Sequence, residues 1–281
     1  MEPTTPPRRD FLKQALSVGF ALAVQPVAAS AIFTDSQSLS TGNLSIPVKG
    51  GALPLYFALP AASKTPRPVV LVVQEIFGVH EHIRDICRRL AKLGYLAVAP
   101  ELYFRQGNPA TSTDINSLLR DIVSKVPDEQ VMQDLDATAD WAAANGGDGQ
   151  RIAITGFCWG GRICWLYASH NPHIKTGIAW YGKLVGDHTP LTPSQPVDLA
   201  NNLAVPVLGL YGGQDDSIPA DTVERMRQEL ARGHSTSQIV VYPEAGHAFN
   251  ADYRPSYNAA AAQDGWRRLQ DWLNQHGMAA R

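Results

Sequence analysis

Cys158, Asp215 and His247 have the side-chain types and the chain order of a nucleophilic acyl-transfer centre: a thiol to attack a carbonyl, a carboxylate to orient a base, and an imidazole to move protons. The thiol carries the most specific signal. It stands in Gly156-Phe157-Cys158-Trp159-Gly160-Gly161, directly after Arg151-Ile152-Ala153-Ile154-Thr155, so a glycine-flanked cysteine is expected where a strand turns into a helix. A nucleophile held in so sharp a turn needs glycine on either side, because larger side chains there would collide with the neighbouring strand and helix. The positive end of the helix dipole favours thiolate over thiol at that place. Taken alone, the same pattern also fits a buried apolar cysteine in a glycine-rich turn.

The acid and the base decide between these readings. Gly212-Gly213-Gln214-Asp215-Asp216-Ser217-Ile218-Pro219 follows an apolar run ending at Tyr211, which puts Asp215 on the turn before a helix. Asp216 is its competitor for the role, and either carboxylate could instead cap the helix that starts near Pro219. Glu244-Ala245-Gly246-His247-Ala248-Phe249 follows the run ending at Tyr242. Of the eight histidines, His247 is the one that comes after an expected strand, downstream of the acid and beside a glycine. Nucleophile, acid and histidine thus appear in the order used by α/β-hydrolases.

Those loops need strands to hold them. A hairpin is expected around Leu44 to Leu59, turning at Lys49-Gly50-Gly51. The β-branched run Pro68 to Gln74 reads as a central parallel strand covered on both faces, and Tyr95 to Ala99 as another. Further strands are expected at Arg151 to Thr155, Lys175 to Tyr181, Val205 to Tyr211 and Gln238 to Tyr242. Helices are expected at His82 to Leu93, Asp128 to Ala144, from Trp159 towards Asn171-Pro172, at Ala220 to Ala231 and at Tyr257 to His276. Leu184 to Ala204, with its several prolines, reads as an excursion over the surface. Strand-helix alternation of this kind builds a mostly parallel central sheet with helices on both faces, the α/β-hydrolase fold.

The N-terminus carries a different signal. Pro7-Arg8-Arg9-Asp10-Phe11-Leu12-Lys13 and the mostly uncharged stretch from Gln14 to Ala31 resemble a twin-arginine export signal, with cleavage expected after Ala31. That divides the chain into a signal peptide, 1–31, and a single hydrolase domain, 32–281. The apolar stretch contains Gln25 and Pro26 and is shorter than the roughly 20 residues that span a bilayer, so export through the twin-arginine machinery to the periplasm or beyond is favoured over membrane anchoring. After cleavage the protein is expected to be free of the membrane and monomeric. A formal net charge of −2, without a basic stripe interleaved with aromatics, argues against nucleic acid as a partner. Three cysteines cannot all pair within one chain, and Cys87 and Cys164 are expected in the core, leaving Cys158 as the free thiol.

Beyond the Cys158 elbow, the motifs Gln74-Glu75-Ile76-Phe77-Gly78, Ala99-Pro100-Glu101-Leu102-Tyr103-Phe104-Arg105, Ala179-Trp180-Tyr181-Gly182, Gly213-Gln214-Asp215 and Ala245-Gly246-His247-Ala248-Phe249 occur in this order. With them the chain resembles the dienelactone hydrolase family over nearly all of the sequence that follows the signal. The resemblance implies hydrolysis of cyclic enol-lactones by a Cys-His-Asp triad. It implies that Glu75 lies beside the thiol and takes part in a switch, in which the resting thiol stays protonated until substrate moves the carboxylate. It also implies that Arg105 binds a substrate carboxylate. The family's second substrate arginine, four residues after the histidine, is replaced here by Ala251, and Arg254 is the candidate to reach the same place from a different offset.

The backbone N–H groups of Ile76 and Trp159 are the expected oxyanion donors, from their positions after the first central strand and after the nucleophile. A small lactone or ester is the expected substrate, and no cofactor is implied. His80-x-His82 lacks the accompanying ligand spacing of a zinc site, and no Lys-Ser or Lys-Thr follows the glycines to make a phosphate loop. Trp159, Trp180, Tyr103 and Phe249 are candidates to line an apolar cleft, or simply to fill the core. A general thiol-dependent carboxylesterase or thioesterase is the alternative activity, and a noncatalytic small-molecule binding protein the remote one.

Overall fold

The computed structural model describes residues 31–62 and 65–280; the expected signal peptide, Ala31 excepted, lies outside the described residues. Strands β1 (Leu39–Val48) and β2 (Gly51–Pro60) form the expected antiparallel hairpin, closing at the Val48↔Gly51 pair. Gly50 and Gly51 turn it at φ of 87° and 148°, backbone conformations open to glycine but strained for other residues. Alternation then follows: β3 (Arg67–Val73), α1 (Glu81–Lys92), β4 (Leu96–Pro100), α2 (Ile115–Asp121), α3 (Asp128–Ala144), β5 (Gly147–Phe157), α4 (Trp159–His170), β6 (Thr176–Trp180), α5 (Pro196–Leu199), β7 (Val207–Gly212), α6 (Ala220–Arg232), β8 (Gln238–Tyr242) and α7 (Ala259–Gln275).

One eight-stranded sheet results, ordered β1-β2-β4-β3-β5-β6-β7-β8, antiparallel through β1, β2 and β4 and parallel from β4 to β8. This is the α/β-hydrolase architecture. Successive strand residues point to opposite faces, and Val69 to Val73 are all fully buried, so helices shield β3 on both sides. Cys87 and Cys164 lie in the core. Among the described residues no helix is long and apolar enough to cross a membrane.

The connection from Leu184 to Ala204 keeps its expected surface course over residues 187–191, which are exposed, and turns inward on either side. Leu184, Val197, Ala200 and Leu203 are buried, and the short helix α5 forms within it. The physical reason is Arg162 on α4, 7% exposed, a cation that must be matched if it is to leave water. Its guanidinium donates to both Asp128 carboxylate oxygens at 2.7 and 2.8 Å, to Gln195 Oε1 at 2.9 Å and to the Ser194 carbonyl at 2.9 Å, which draws the connection inward. Helix α2, which the hydrophobic pattern did not announce, begins at a local signal: Asp114 and Ser117 form a reciprocal capping box.

What matters for chemistry is where the parallel strands end. Glu75 follows β3, Cys158 follows β5, Tyr181 follows β6, Asp215 follows β7 and His247 follows β8, so all five are delivered to the carboxyl edge of the sheet. That edge is where open α/β sheets bind their ligands.

Candidate active site

Cys158 sits at φ 55° and ψ −114°, a conformation that a residue with a side chain adopts only under constraint. Its N–H donates to the Trp180 carbonyl at 3.0 Å, and its carbonyl accepts from the N–H of Gly161 at 2.9 Å, which fixes the turn from both sides. The flanking glycines are required by contact. A Cβ on Gly156 would stand 2.1 Å from the Gly160 carbonyl oxygen, and one on Gly160 would stand 2.5 Å from the carbonyl oxygens of Val73 and Gln74. One on Gly161 would stand 2.4 Å from the Trp180 oxygen. Strand, turn and helix are therefore packed backbone to backbone, and Cys158 is pushed out at the apex, half-buried.

The three residues singled out by type and order meet there. His247 Nε2 is 3.2 Å from Cys158 Sγ, and His247 Nδ1 is 2.7 Å from Asp215 Oδ2. Asp215 is buried while Asp216 is exposed, so of the two carboxylates it is Asp215 that the fold brings to the imidazole. Asp215 does not cap α6, whose first turn has no side-chain cap. Instead its Oδ1 accepts from both the N–H and the hydroxyl of Ser217, at 2.9 and 2.5 Å. The Ser217 oxygen also lies 3.1 Å from His247 Nδ1. Ser217 was not picked out from the sequence; an Asp-x-Ser turn before a helix is the signal that could have found it.

Electrostatics agree with the geometry. Burial pulls the His247 imidazole down, but the Cys158 sulfur and the Asp215 carboxylate outweigh it and raise its pKa to about 10. Burial raises Asp215, and its bonds from His247 and Ser217 more than reverse this, holding it below the usual carboxylate range. An imidazole braced in this way is favoured in its charged form and keeps its orientation in that form, the property that a base taking a proton from sulfur needs.

Glu75 stands level with Cys158 by register, two residues beyond the Val73↔Gly156 pair of β3 and β5. Its carboxylate is fully buried and turned to other partners: Oε2 accepts from the Tyr253 hydroxyl at 2.5 Å and lies 3.3 Å from His80 Nε2. Burial opposes its charge, yet His80, His82 and Arg254 bring its pKa down to about 2. Tyr253, His80 and His82 were not assigned roles from sequence, since nothing in the spacing of His80-x-His82 tells that His80 turns to Glu75 and His82 to Asp252. Among the described residues no cluster of histidine, cysteine and carboxylate side chains is arranged to hold a metal ion.

The two candidate arginines part company. Arg105 is not presented to the thiol: its guanidinium makes two bonds to Asp134, at 2.7 and 2.9 Å, and two to the Lys49 carbonyl at the hairpin turn. The buried Asp134 carboxylate takes the fork that the sequence reading reserved for substrate. Arg254 does reach the site. Its guanidinium lies over the Phe77 ring at 5.8 Å, and its charge acts on Glu75, Cys158 and Tyr181. Ala251, at the position where the sequence reading missed an arginine, is fully buried.

Of the four aromatics weighed as cleft lining, Trp180 and Phe249 are core residues, Trp180 stacking on Phe157 and closing over Gly265. Trp159 stays half-buried, its ring edge-on to Tyr103 at 4.9 Å. Tyr103 and Tyr181 are fully buried; the Tyr181 hydroxyl has no partner among the described residues, and the Tyr103 hydroxyl lies beside the Gln74 side chain. Burial holds both hydroxyls well above the usual phenol range, so each keeps its proton.

Comparison with known proteins bears on this arrangement. The family model of the dienelactone hydrolase family matches residues 53–277. A protein of Escherichia coli strain K12 assigned as a carboxymethylenebutenolidase is 60% identical over 259 residues, which cover 92% of this chain and 96% of that one. One of Methylorubrum extorquens with the same assignment is 59% identical over 278 residues, covering 98% of this chain and 95% of that one. A crystal structure of an assigned dienelactone hydrolase from Klebsiella pneumoniae superposes with a TM-score of 0.83 at 60% identity, covering 84% of this chain and 99% of that one.

Proposed function

The chain belongs to the dienelactone hydrolase family and is a hydrolase acting on esters or lactones; from that premise we propose that it cleaves a small lactone or ester through a Cys158-His247-Asp215 triad and an acyl-thioester. The observation that carries the proposal is the continuous hydrogen-bonded line from Cys158 Sγ through both nitrogens of His247 to Asp215, set on a strained turn.

In the first half-reaction the thiol proton passes to His247 Nε2 as sulfur bonds to the carbonyl carbon, and the carbonyl electron pair moves onto oxygen. The backbone N–H groups of Ile76 and Trp159 receive that oxyanion; Trp159 opens α4, where an N–H has no carbonyl partner within the helix. Collapse breaks the carbon–oxygen bond of the ester, and the proton from His247 goes to the departing oxygen. With a lactone that oxygen stays tethered to the acyl chain. Water then attacks the thioester and gives a proton to His247, and the carbon–sulfur bond breaks to return the thiol and release the acid.

Arg254 is the cation placed to attract an anionic group of the substrate. One observation favours a second reading, a general thiol-dependent carboxylesterase or thioesterase: Ala251 supplies no charge and Arg105 is bound to Asp134, so the clamp on a carboxylate is weaker than the family resemblance implies. The paired Arg8 and Arg9 support export of the folded protein to the periplasm or beyond and cleavage near Ala31. Cell fractionation tests this, since lysine at both positions is expected to leave the protein in the cytoplasm.

The decisive assay follows ultraviolet absorbance of a dienelactone with the parent protein and Cys158→Ala. Loss of absorbance only with Cys158 present supports the lactone reading. Cleavage of simple aryl esters alone, still dependent on Cys158, moves the substrate to the second reading, and turnover retained in Cys158→Ala removes the thiol mechanism.

A further inference from the structure

Ser217 stands inside the hydrogen-bond geometry of the proposed triad. Its hydroxyl oxygen is 2.5 Å from Asp215 Oδ1 and 3.1 Å from His247 Nδ1, while His247 Nδ1 is 2.7 Å from Asp215 Oδ2. Carboxylate, hydroxyl and imidazole thus close a ring. The backbone N–H of Ser217 donates to the same Oδ1 at 2.9 Å, so the turn is held by the main chain whether or not the hydroxyl is present. The Asp215 side chain is 1% exposed and that of His247 25%, whereas Ser217 is exposed, which puts the hydroxyl between the buried carboxylate and solvent. The remaining neighbours of the imidazole are Cys158 Sγ, 3.2 Å from Nε2, and the Tyr181 ring, edge-on with centroids 5.3 Å apart. The charges of Glu75 and Arg254 reach Tyr181 from its other surroundings.

A serine hydroxyl has one proton to donate. Asp215 Oδ1 is the nearer acceptor and the charged one, so the proton points there and a lone pair is left facing His247 Nδ1. Nδ1 then carries hydrogen, shared between the carboxylate and the hydroxyl oxygen, and the lone pair of the neutral ring lies at Nε2, towards Cys158. We propose that Ser217 is a positioning residue of the triad, whose hydroxyl holds His247 in the tautomer that takes the thiol proton and stabilises the imidazolium that results. In that step the S–H bond breaks, the proton bonds to Nε2, the electron pair stays on sulfur, and the cationic ring keeps its Nδ1–H on both Asp215 and Ser217. Ser217 itself neither gains nor loses a proton. The role rests on the Cys158-His247-Asp215 reading, and the variants below separate the two.

The test is the rate of Cys158 alkylation by iodoacetamide across the neutral pH range, read by mass spectrometry on the folded protein, for the parent, Ser217→Ala, Ser217→Thr and Asp215→Asn. Initial rates on an aryl ester are measured alongside. One hydrogen bond contributes a factor of about three to ten, so Ser217→Ala is expected to alkylate more slowly by that factor near neutrality, with its profile moved to higher pH. Its kcat should fall by a similar factor with KM little changed. Ser217→Thr keeps the hydroxyl and should stay near the parent, and Asp215→Asn should be slower than Ser217→Ala. A Ser217→Ala protein that matches the parent while Asp215→Asn is slow would mean that water replaces the hydroxyl without loss, and overturns the proposal. Ser217→Thr as slow as Ser217→Ala overturns it too, because the hydroxyl would not be the cause. So does faster labelling of the buried Cys87 and Cys164 in Ser217→Ala, which would report a loosened fold. If the parent, Ser217→Ala and Asp215→Asn all alkylate alike, the triad reading falls, and the role of Ser217 with it.

Discussion

Gly160 and Gly246 each stand within two residues of a member of the proposed triad, and the structure gives them opposite tolerance. Gly160 lies two residues after Cys158, and a methyl group there would meet the carbonyl oxygens of Val73 and Gln74 at 2.5 Å. Ordinary contact begins at 3.4 Å, so Gly160→Ala must open about 0.9 Å between α4 and the end of β3. The atoms forced apart are backbone, and no side chain can swing away to relieve them. One side of the gap carries Cys158 and Trp159, the other Glu75 and Ile76, so the nucleophile and one expected oxyanion donor separate by most of that distance. A misplacement of about 1 Å in an active site costs about 10²-fold in rate, and overpacking costs about 1–3 kcal/mol of stability. For a domain of this size that is a fall of about 2 to 12 °C in Tm. Gly246, next to His247, is the control: a methyl group there has its nearest neighbour, the Gln214 oxygen, at 3.7 Å, so Gly246→Ala should keep kcat within a few-fold and Tm within about 2 °C. Initial rates on an aryl ester together with a thermal melt read both quantities. A Gly160→Ala enzyme with kcat within threefold of the parent, or equal harm from the two substitutions, would refute the argument from backbone contact.

The arginines should separate in the same assays. Arg254→Gln is expected to raise KM for carboxylated substrates about tenfold or more while leaving neutral esters nearly unchanged, whereas Arg105→Ala should cost roughly 3 kcal/mol in urea unfolding, because it strands the Asp134 carboxylate, 2% exposed, without its partner. A substrate-selective loss in Arg105→Ala would restore that residue to the binding site. Glu75 predicts a pH dependence of stability. With its pKa brought from 4.5 to about 2 in the folded protein, the carboxylate's contribution is complete above about pH 5 and is lost as pH falls towards 2. About 1 to 1.5 kcal/mol should be gone by pH 3.5, a loss that Glu75→Gln should not show, as urea midpoints against pH would report. Parallel acid profiles for the two proteins would show that the carboxylate is not stabilised in its charged form.

Local chemistry made most of the centre readable in one dimension. The elbow was legible because a strained strand-to-helix turn tolerates only glycine at its flanks, and the contacts at Gly156, Gly160 and Gly161 show that constraint directly. Asp215 and His247 were legible because each follows an apolar run that had to be a strand, and parallel strands deliver their following loops to one edge. The β-branched run before Glu75 marked the central strand for the same reason, and Asp128 to Ala144 and Gln238 to Tyr242 formed over the residues their patterns indicated.

Only the tertiary structure could decide which charges find each other. Arg105 and Asp134 are 29 positions apart, and nothing in either neighbourhood announces that the guanidinium turns to that carboxylate and not to a ligand. Arg162 gathers Asp128, Ser194 and Gln195 from across the chain and so pulls in a connection whose prolines suggested the surface. Tyr253 meets Glu75 across 178 positions. Periodicity and turn chemistry write themselves into short stretches of sequence because their physics is local. A buried ion pair or hydrogen bond is a property of two distant segments once packing has removed the water between them, so the residues of the Cys158-His247-Asp215 hydrogen-bonded line could be picked out of the chain and the partners of Glu75 could not.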